Sequence, residues 1–307
     1  MLHIRYYFNI RLILTFIALT TFTTFTTIFT TSMIIVIQCI DRAGLVASVS
    51  AILAKNLFNI VSLREHVDQA DNLFFMRLEV TFGGDETTLE NQLRKVLPDD
   101  ATILINPLPD KKVVVMVTKE YHCLADILIR NYFGTLGATV QCVIGNHKVL
   151  EDICKRFDMP FYAISHEQVS KEVFEEKIAA TIDQYNPDYI VLAKFMRILS
   201  PKLVAKFPMR IINIHHSFLP AFIGASPYRQ AFERGVKLIG ATAHFVSNEL
   251  DEGPIIAQQI IPVSHSFTAA DMVKAGKEIE TAVLARALKL VFEDRVFVYK
   301  NKTVVFE

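Results

Sequence analysis

From Ile34 to Ile105 the apolar positions switch repeatedly between a period near two and a period near 3.6. Ile34 to Ile40, Asn59 to Val67, Leu73 to Phe82 and Ala101 to Ile105 are apolar-rich runs bounded by turn residues, which predicts strands. Between them, Gly44 to Leu57 places Leu45, Val49, Ile52 and Leu53 on one helical face. Thr87 to Val96 opens with a threonine among acidic neighbours, a helix start. The order βαββαβ predicts a ferredoxin-like α+β domain with two helices on one face of its sheet. From Val113 the pattern changes. Val113 to Thr118, Thr139 to Ile144, Phe161 to Ile164, Tyr189 to Ala193 and Ile211 to Ile214 are continuous apolar runs separated mostly by helical stretches. Such runs belong to parallel strands covered on both faces, hence an α/β domain with a doubly wound, mostly parallel sheet. Gly240 to Val246 reads as a further buried strand, and Thr268 to Val291 as a long amphipathic helix. Val296 to Tyr299 and Thr303 to Phe306 read as a hairpin about Asn301-Lys302. Two prolines and a charge cluster break both periods at 107–111, which divides the chain into 33–106, a linker, and 112–307.

Composition changes this picture mainly at the N-terminal end. From Leu12 to Ile40 no residue is charged, and Arg5 and Arg11 precede the run, the outline of a signal peptide or a membrane anchor. Repeated TFTTFTT threonines weaken its apolar core, no small-x-small cleavage site is evident, and the first strand starts without a linker. With Met33 as a natural start, residues 1–32 are expected to be a non-native or disordered extension, the rival being a weak anchor. Lys plus Arg and Asp plus Glu number 32 each among the 307 residues, so the chain has no basic surplus of the kind nucleic-acid surfaces show. The four cysteines, Cys39, Cys123, Cys142 and Cys154, lie in apolar segments without C-x-x-C spacing. Neither a disulfide framework nor a zinc site is suggested, and buried reduced thiols fit a cytoplasmic protein.

Candidate chemistry gathers between Ile211 and Gly253. Period two puts Asn213 and His215 on one face of a strand whose end faces the Phe218-Leu219-Pro220 and Gly224/Pro227 loop. In open α/β sheets ligands bind beyond such strand ends. His244 and Asp251 follow on the next strand and in the turn marked by Gly253-Pro254. An amide can donate to a developing oxyanion, an imidazole can carry protons, and a carboxylate can orient that imidazole or take a proton from a nucleophile. Together they suit acyl chemistry on a small carbonyl. A zinc triad of His215, His244 and Asp251 would leave Asn213 without a part. His216 should face the other side of the strand if the pleat continues, and His244 either orients Asp251 across the turn or is a structural histidine satisfied within the fold.

Four segments in order resemble the formyltransferase family that uses 10-formyltetrahydrofolate: N-I-H at 213–215, S-x-L-P at 217–220, H-F-V at 244–246 and L-D-E-G-P-I-I at 250–256. The resemblance implies a Rossmann-like formyltransferase domain with Asn213, His215 and Asp251 as catalytic set and His244 in support. It also implies a folate pocket lined by the M-R-I-L stretch, through Met196, Arg197 and Leu199, with the folate as substrate and neither a cofactor nor a metal. The D-R-x-G-L turn at 41–45 and the N-I-V at 59–61 resemble ACT domains, small modules that bind amino acids. Asp41, Arg42, Gly44 and Asn59 are the regulatory-ligand positions this implies, together with an amino-acid effector and a homo-oligomer.

Relatives that formylate glycinamide ribonucleotide carry a Gly-rich phosphate loop after the first strand of this domain. Here Val117 to Cys123 has no glycine and carries Glu120. Relatives that formylate methionyl-tRNA need a basic surface and an added nucleic-acid domain. Water is the simplest acceptor left, so the expected reaction is hydrolysis of 10-formyltetrahydrofolate to formate and tetrahydrofolate. It would serve one-carbon balance and purine synthesis in the cytoplasm, without nucleic-acid or membrane partners. The alternatives are formyl transfer to an amine such as glycinamide ribonucleotide, or a non-catalytic folate or amino-acid sensor.

Overall fold

The computed structural model describes residues 32–81, 86–106, 110–220 and 227–307. β1 (Ser32–Ile40), α1 (Leu45–Lys55), β2 (Asn59–Asp68), β3 (Leu73–Thr81), α2 (Glu86–Arg94) and β4 (Thr102–Asn106) follow the βαββαβ order. The strands pair antiparallel in the order β2-β3-β1-β4. Leu45, Val49 and Leu53 of α1 and Leu89 and Leu93 of α2 form a core with Ile35, Ile37, Phe74, Met76 and Leu78, which is the helix-covered face that the periodicity predicts. Ser32 is the first residue of β1 and lies opposite Thr81, so the sheet begins one residue before the expected boundary at 32/33. The remaining expectation for 1–31 falls outside the described residues. Among those that are described, no helix is long and apolar enough to cross a membrane.

The linker residues 107–109 also lie outside the described residues, and Lys111 already belongs to the next strand. A seven-stranded sheet follows, assembled from β5 (Lys111–Val117), β6 (Ala138–Gly145), β7 (Phe161–Ala163), β8 (Tyr189–Leu192), β9 (Ile211–His215), β10 (Leu238–Phe245) and β11 (Ile255–Pro262). Its order is β11-β10-β9-β8-β5-β6-β7. Strands β5 to β9 are parallel, while β10 and β11 are added antiparallel at one edge. The sequence pattern does not mark β11, because Gln258 and Gln259 interrupt its apolar run. Intervening helices are α3 (His122–Tyr132), α4 (Glu151–Arg156), α5 (Lys171–Tyr185), α6 (Pro201–Lys206), α7 (Pro227–Arg234) and α8 (Ala269–Phe292). Alternation within β5 shows the double winding. Val113, Val115 and Val117 join the core with α3 and α8, and Val114 and Met116 join the one with α5 and α6.

α8 starts on a capping box, in which Thr268 accepts from the Asp271 N–H and Asp271 accepts from the Thr268 N–H. Beyond it, β12 (Val296–Tyr299) and β13 (Lys302–Val305) form the C-terminal hairpin. Tyr299 pairs with Lys302, so the turn is Lys300-Asn301, one residue earlier than predicted, and Lys300 takes the positive φ of 50°. The hairpin covers the face of the small sheet that α1 and α2 leave open: Phe297, Tyr299 and Phe306 pack on Phe75, with Val36 and Leu73 beside them. Sequence placed 296–306 with the second domain, yet these residues complete the core of the first.

Candidate active site

β9 ends the parallel part of the large sheet. Its alternation sends Ile212 and Ile214 into the core with α8 and puts Asn213 and His215 on the opposite face, as expected. β10 runs antiparallel beside it, with His244 opposite Asn213 and Thr242 opposite His215. A bulge between Ala243 and His244, where β10 meets β11, adjusts the backbone at this point. The chain then turns back over the sheet through 246–254. A Cβ on Gly253 would stand 1.7 Å from the Phe245 carbonyl oxygen, so only glycine lets the turn close this tightly. Asp251 rides on that turn with φ 57° and meets His215 from above.

His215 is buried, and its Nδ1 lies 3.3 Å from Asp251 Oδ1, while its Nε2 is buried without a partner among the described residues. A buried imidazole nitrogen with no partner in the fold is free to serve a substrate. Burial works to raise the Asp251 carboxyl, but the hydrogen bond from His215 and the charges of His215, His244 and His216 outweigh it, leaving it below its ordinary value. His244 is pushed down by burial more than the Phe245 carbonyl and Asp251 pull it up. Its Nδ1 lies 2.9 Å from the Phe245 carbonyl, which can only accept, so the proton sits on Nδ1 and Nε2 offers a lone pair. Asn213 Nδ2 donates to that lone pair at 3.3 Å, whereas Asp251 Oδ1 stands 3.7 Å away. His244 therefore orients the Asn213 amide more directly than it orients Asp251. One amide hydrogen of Asn213 is used in this way, and the other has no partner among the described residues.

A cavity of about 330 Å³ opens above these groups. One wall carries Asn213, His215, His216, His244 and the turn to Asp251; the other is the 194–199 segment with Met196, Arg197 and Leu199. That segment leaves β8 at Lys194, whose φ is 63°, and is pinned by the Met196 N–H donating to Thr118 Oγ1 at 2.9 Å. Ser200 then caps α6 ahead of Pro201. His216 does not continue the pleat, because β9 stops at His215; its ring stacks on His215 at 5.0 Å between centroids. Sequence reasoning missed Thr242. Its buried hydroxyl donates to the Ser217 carbonyl and accepts from the Leu219 N–H and from Gln258 Nε2, which fixes the 217–219 exit from β9. Gly224 of the predicted loop lies outside the described residues.

The regulatory positions separate. Asp41, Arg42 and Gly44 share the β1–α1 turn, where Gly44 holds φ 89° and Arg42 donates to the Val96 carbonyl. Asn59 starts β2 opposite Thr81, whereas Ile40 lies opposite Leu73. Eight residues of β3 divide the two levels, about 26 Å at ~3.3 Å per residue. Within one chain these four residues therefore do not form a single pocket.

Fold and site together define a class: an α/β protein that gathers an amide, imidazoles and a carboxylate beside a cavity at the end of a parallel sheet. Residues 111–288 match the family model described as formyl transferase. A Haemophilus influenzae protein named formyltetrahydrofolate deformylase is 50% identical over 272 residues, 89% of this chain and 98% of its own. The crystal structure of a formyltetrahydrofolate deformylase from Pseudomonas syringae pv. tomato has a TM-score of 0.85 at 41% identity, covering 90% of this chain and 94% of that one. A glycinamide ribonucleotide transformylase from Symbiobacterium toebii gives 0.62 at 29% identity, covering 65% of this chain and 95% of its own. This chain belongs to the formyl transferase family, in the group whose members carry the name formyltetrahydrofolate deformylase.

Proposed function

We propose that this protein hydrolyses 10-formyltetrahydrofolate to formate and tetrahydrofolate, with Asn213, His215 and Asp251 as its catalytic set. The observation that carries this reading is the meeting of His215 and Asp251 at 3.3 Å under a cavity whose far wall is the 194–199 segment. The folate lies along Met196, Arg197 and Leu199 and brings its N10-formyl carbon over His215. Both imidazole contacts fall on Asp251 Oδ1, which leaves Oδ2 to hold the attacking water and take its proton. Charge then grows on the formyl oxygen. The remaining Asn213 N–H and the Nε2–H of His215, in its imidazolium form, donate to that oxygen in a water-poor site. Breaking the C–N bond requires a proton on N10, which the same imidazolium can deliver.

Water rather than a phosphorylated amine is the acceptor because the 118–121 turn is occupied by the protein's own charges. Glu120 lies 2.6 Å from Lys277 and 3.8 Å from the His122 Nδ1, so a phosphate at this helix start would meet a carboxylate. The reaction balances one-carbon units and formyl supply for purine synthesis in the cytoplasm, where four buried free cysteines are at home. The small domain is the proposed seat of an amino-acid effector in a homo-oligomer. Purified protein given 10-formyltetrahydrofolate and water alone should release formate, and Asp251→Asn should lower kcat on the order of a hundredfold or more. Turnover only with an added amine, or undiminished turnover by the variant, overturns the reading.

A further inference from the structure

Behind the cavity lies a carboxylate that the proposed chemistry does not use. Glu280 sits in the middle of α8 and is 1% exposed. Its Oε2 accepts from His122 Nε2 at 2.7 Å and from Lys194 Nζ at 3.1 Å, and its Oε1 accepts from the Tyr228 hydroxyl at 2.8 Å. Burial favours the neutral acid, yet the bond from His122, the charge of Lys194 and the bond from Tyr228 together win, pulling the carboxyl down to about 2. A charge buried this deeply is tolerated only when every lone pair is engaged. Glu280, His122 and Cys123 bring three metal-ligand atoms within 4.8 Å of one another. Here, however, the Lys194 ammonium already supplies the cation, and burial pushes the Cys123 thiol up to about 12, far from the thiolate a metal needs.

Each partner of Glu280 belongs to a different part of the site. Lys194 is where the chain leaves β8 and enters the folate wall, in a left-handed conformation that costs a non-glycine residue about 1 kcal/mol or more. Its side chain is buried and bound to Glu280, so the ion pair holds this turn in its strained form. Tyr228, on α7, lies flat on Gly276, where a Cβ would come within 2.2 Å of the ring. The Tyr228 ring stands 6.5 Å from that of His216, which in turn stacks on His215. His122 begins α3.

We infer that Glu280 is a positioning residue for the hydrolysis, tethering the folate wall through Lys194 and backing the catalytic imidazole through Tyr228 and His216. This rests on the hydrolase reading only for its assay; the tether itself is geometric. Glu280→Gln leaves Lys194 as a buried unpaired charge and should lower Tm, raise KM for the folate about tenfold and lower kcat. The double change Glu280→Gln with Lys194→Met removes that charge and should recover Tm while KM stays high, because the 194 turn is still untethered. Tyr228→Phe keeps its ring on Gly276 and should lower kcat several-fold with KM unchanged. Recovery of KM together with Tm in the double variant, or wild-type kcat in Tyr228→Phe, shows a merely structural cluster and overturns the inference. Formate release by the wild-type protein, measured alongside, separates that failure from a failure of the hydrolase reading.

Discussion

At the scale of single residues, the site divides its imidazoles by burial and by partner. His215 faces a carboxylate and keeps Nε2 open, whereas His244 spends Nδ1 on the Phe245 carbonyl and Nε2 on Asn213. Burial holds His244 below its ordinary 6.5. Between that value and the lower folded one, the unfolded chain binds a proton that the folded chain does not, so stability falls as pH drops below about 6.5. The loss levels off once the folded imidazole is protonated as well. Thermal melts between pH 7 and pH 5 should therefore show a shallower decline in Tm for His244→Asn than for wild type. Parallel slopes would mean that His244 is not held neutral. Asp251, kept below the usual carboxylate range, remains charged throughout this window, so an acid limb in kcat above pH 5 does not come from its carboxyl.

At the scale of elements, the sequence exposes whatever is periodic and hides whatever depends on tertiary closure. The βαββαβ order, the five parallel strands, the long α8 and the common face of Asn213 and His215 all follow from spacing alone. β11 is invisible because Gln258, opposite Thr242 on β10, spends its amide on the Thr242 hydroxyl and the Leu219 carbonyl, a polar role that periodicity scores as loop. Glu280 leaves a faint signal, a charge inside the apolar stripe of Ile279, Val283 and Leu284, but its three partners are contributed by distant elements. The ACT-like positions come from two short motifs, and antiparallel pairing places Asn59 and the 41–44 turn at opposite levels of the sheet. The 246–254 turn is the element on which most depends, since Gly253 lets it close and Asp251 rides on it. Gly253→Ala forces a Cβ against the Phe245 carbonyl, so the turn must open and carry Asp251 away from His215. Stability should fall by about 2–3 kcal/mol. Activity per folded molecule should fall at least about tenfold. Comparing denaturant midpoints with kcat tests this, and a stability loss without a kcat loss would show that Asp251 keeps its place independently.

At the scale of the molecule, the C-terminal hairpin joins the small sheet to the turn that carries Asp251. Phe297 and Tyr299 pack on Phe75, the Tyr299 hydroxyl donates to Asp68 Oδ2 at 2.7 Å, and Arg77 donates twice to the Glu293 carbonyl. At its tip, Asn301 Nδ2 donates to the Glu252 carbonyl at 2.8 Å, and Thr303 Oγ1 donates to the Ile255 carbonyl at 2.5 Å. Glu252 is the neighbour of Asp251, so the hairpin that fills the open face of one sheet also steadies the turn above the other. Truncating Phe297 removes a largely buried ring from this junction, at a cost of about 3–5 kcal/mol. It also frees the hairpin to tilt, loosening the bonds at 252 and 255. Phe297→Ala should therefore lower Tm and also lower kcat severalfold, although Phe297 lines no part of the cavity. Asn301→Ala removes only the tip bond and should lower kcat with little change in Tm, since an exposed hydrogen bond contributes about 1 kcal/mol. If both variants turn over at the wild-type rate at a temperature where they are folded, the hairpin binds the two sheets together without bearing on Asp251.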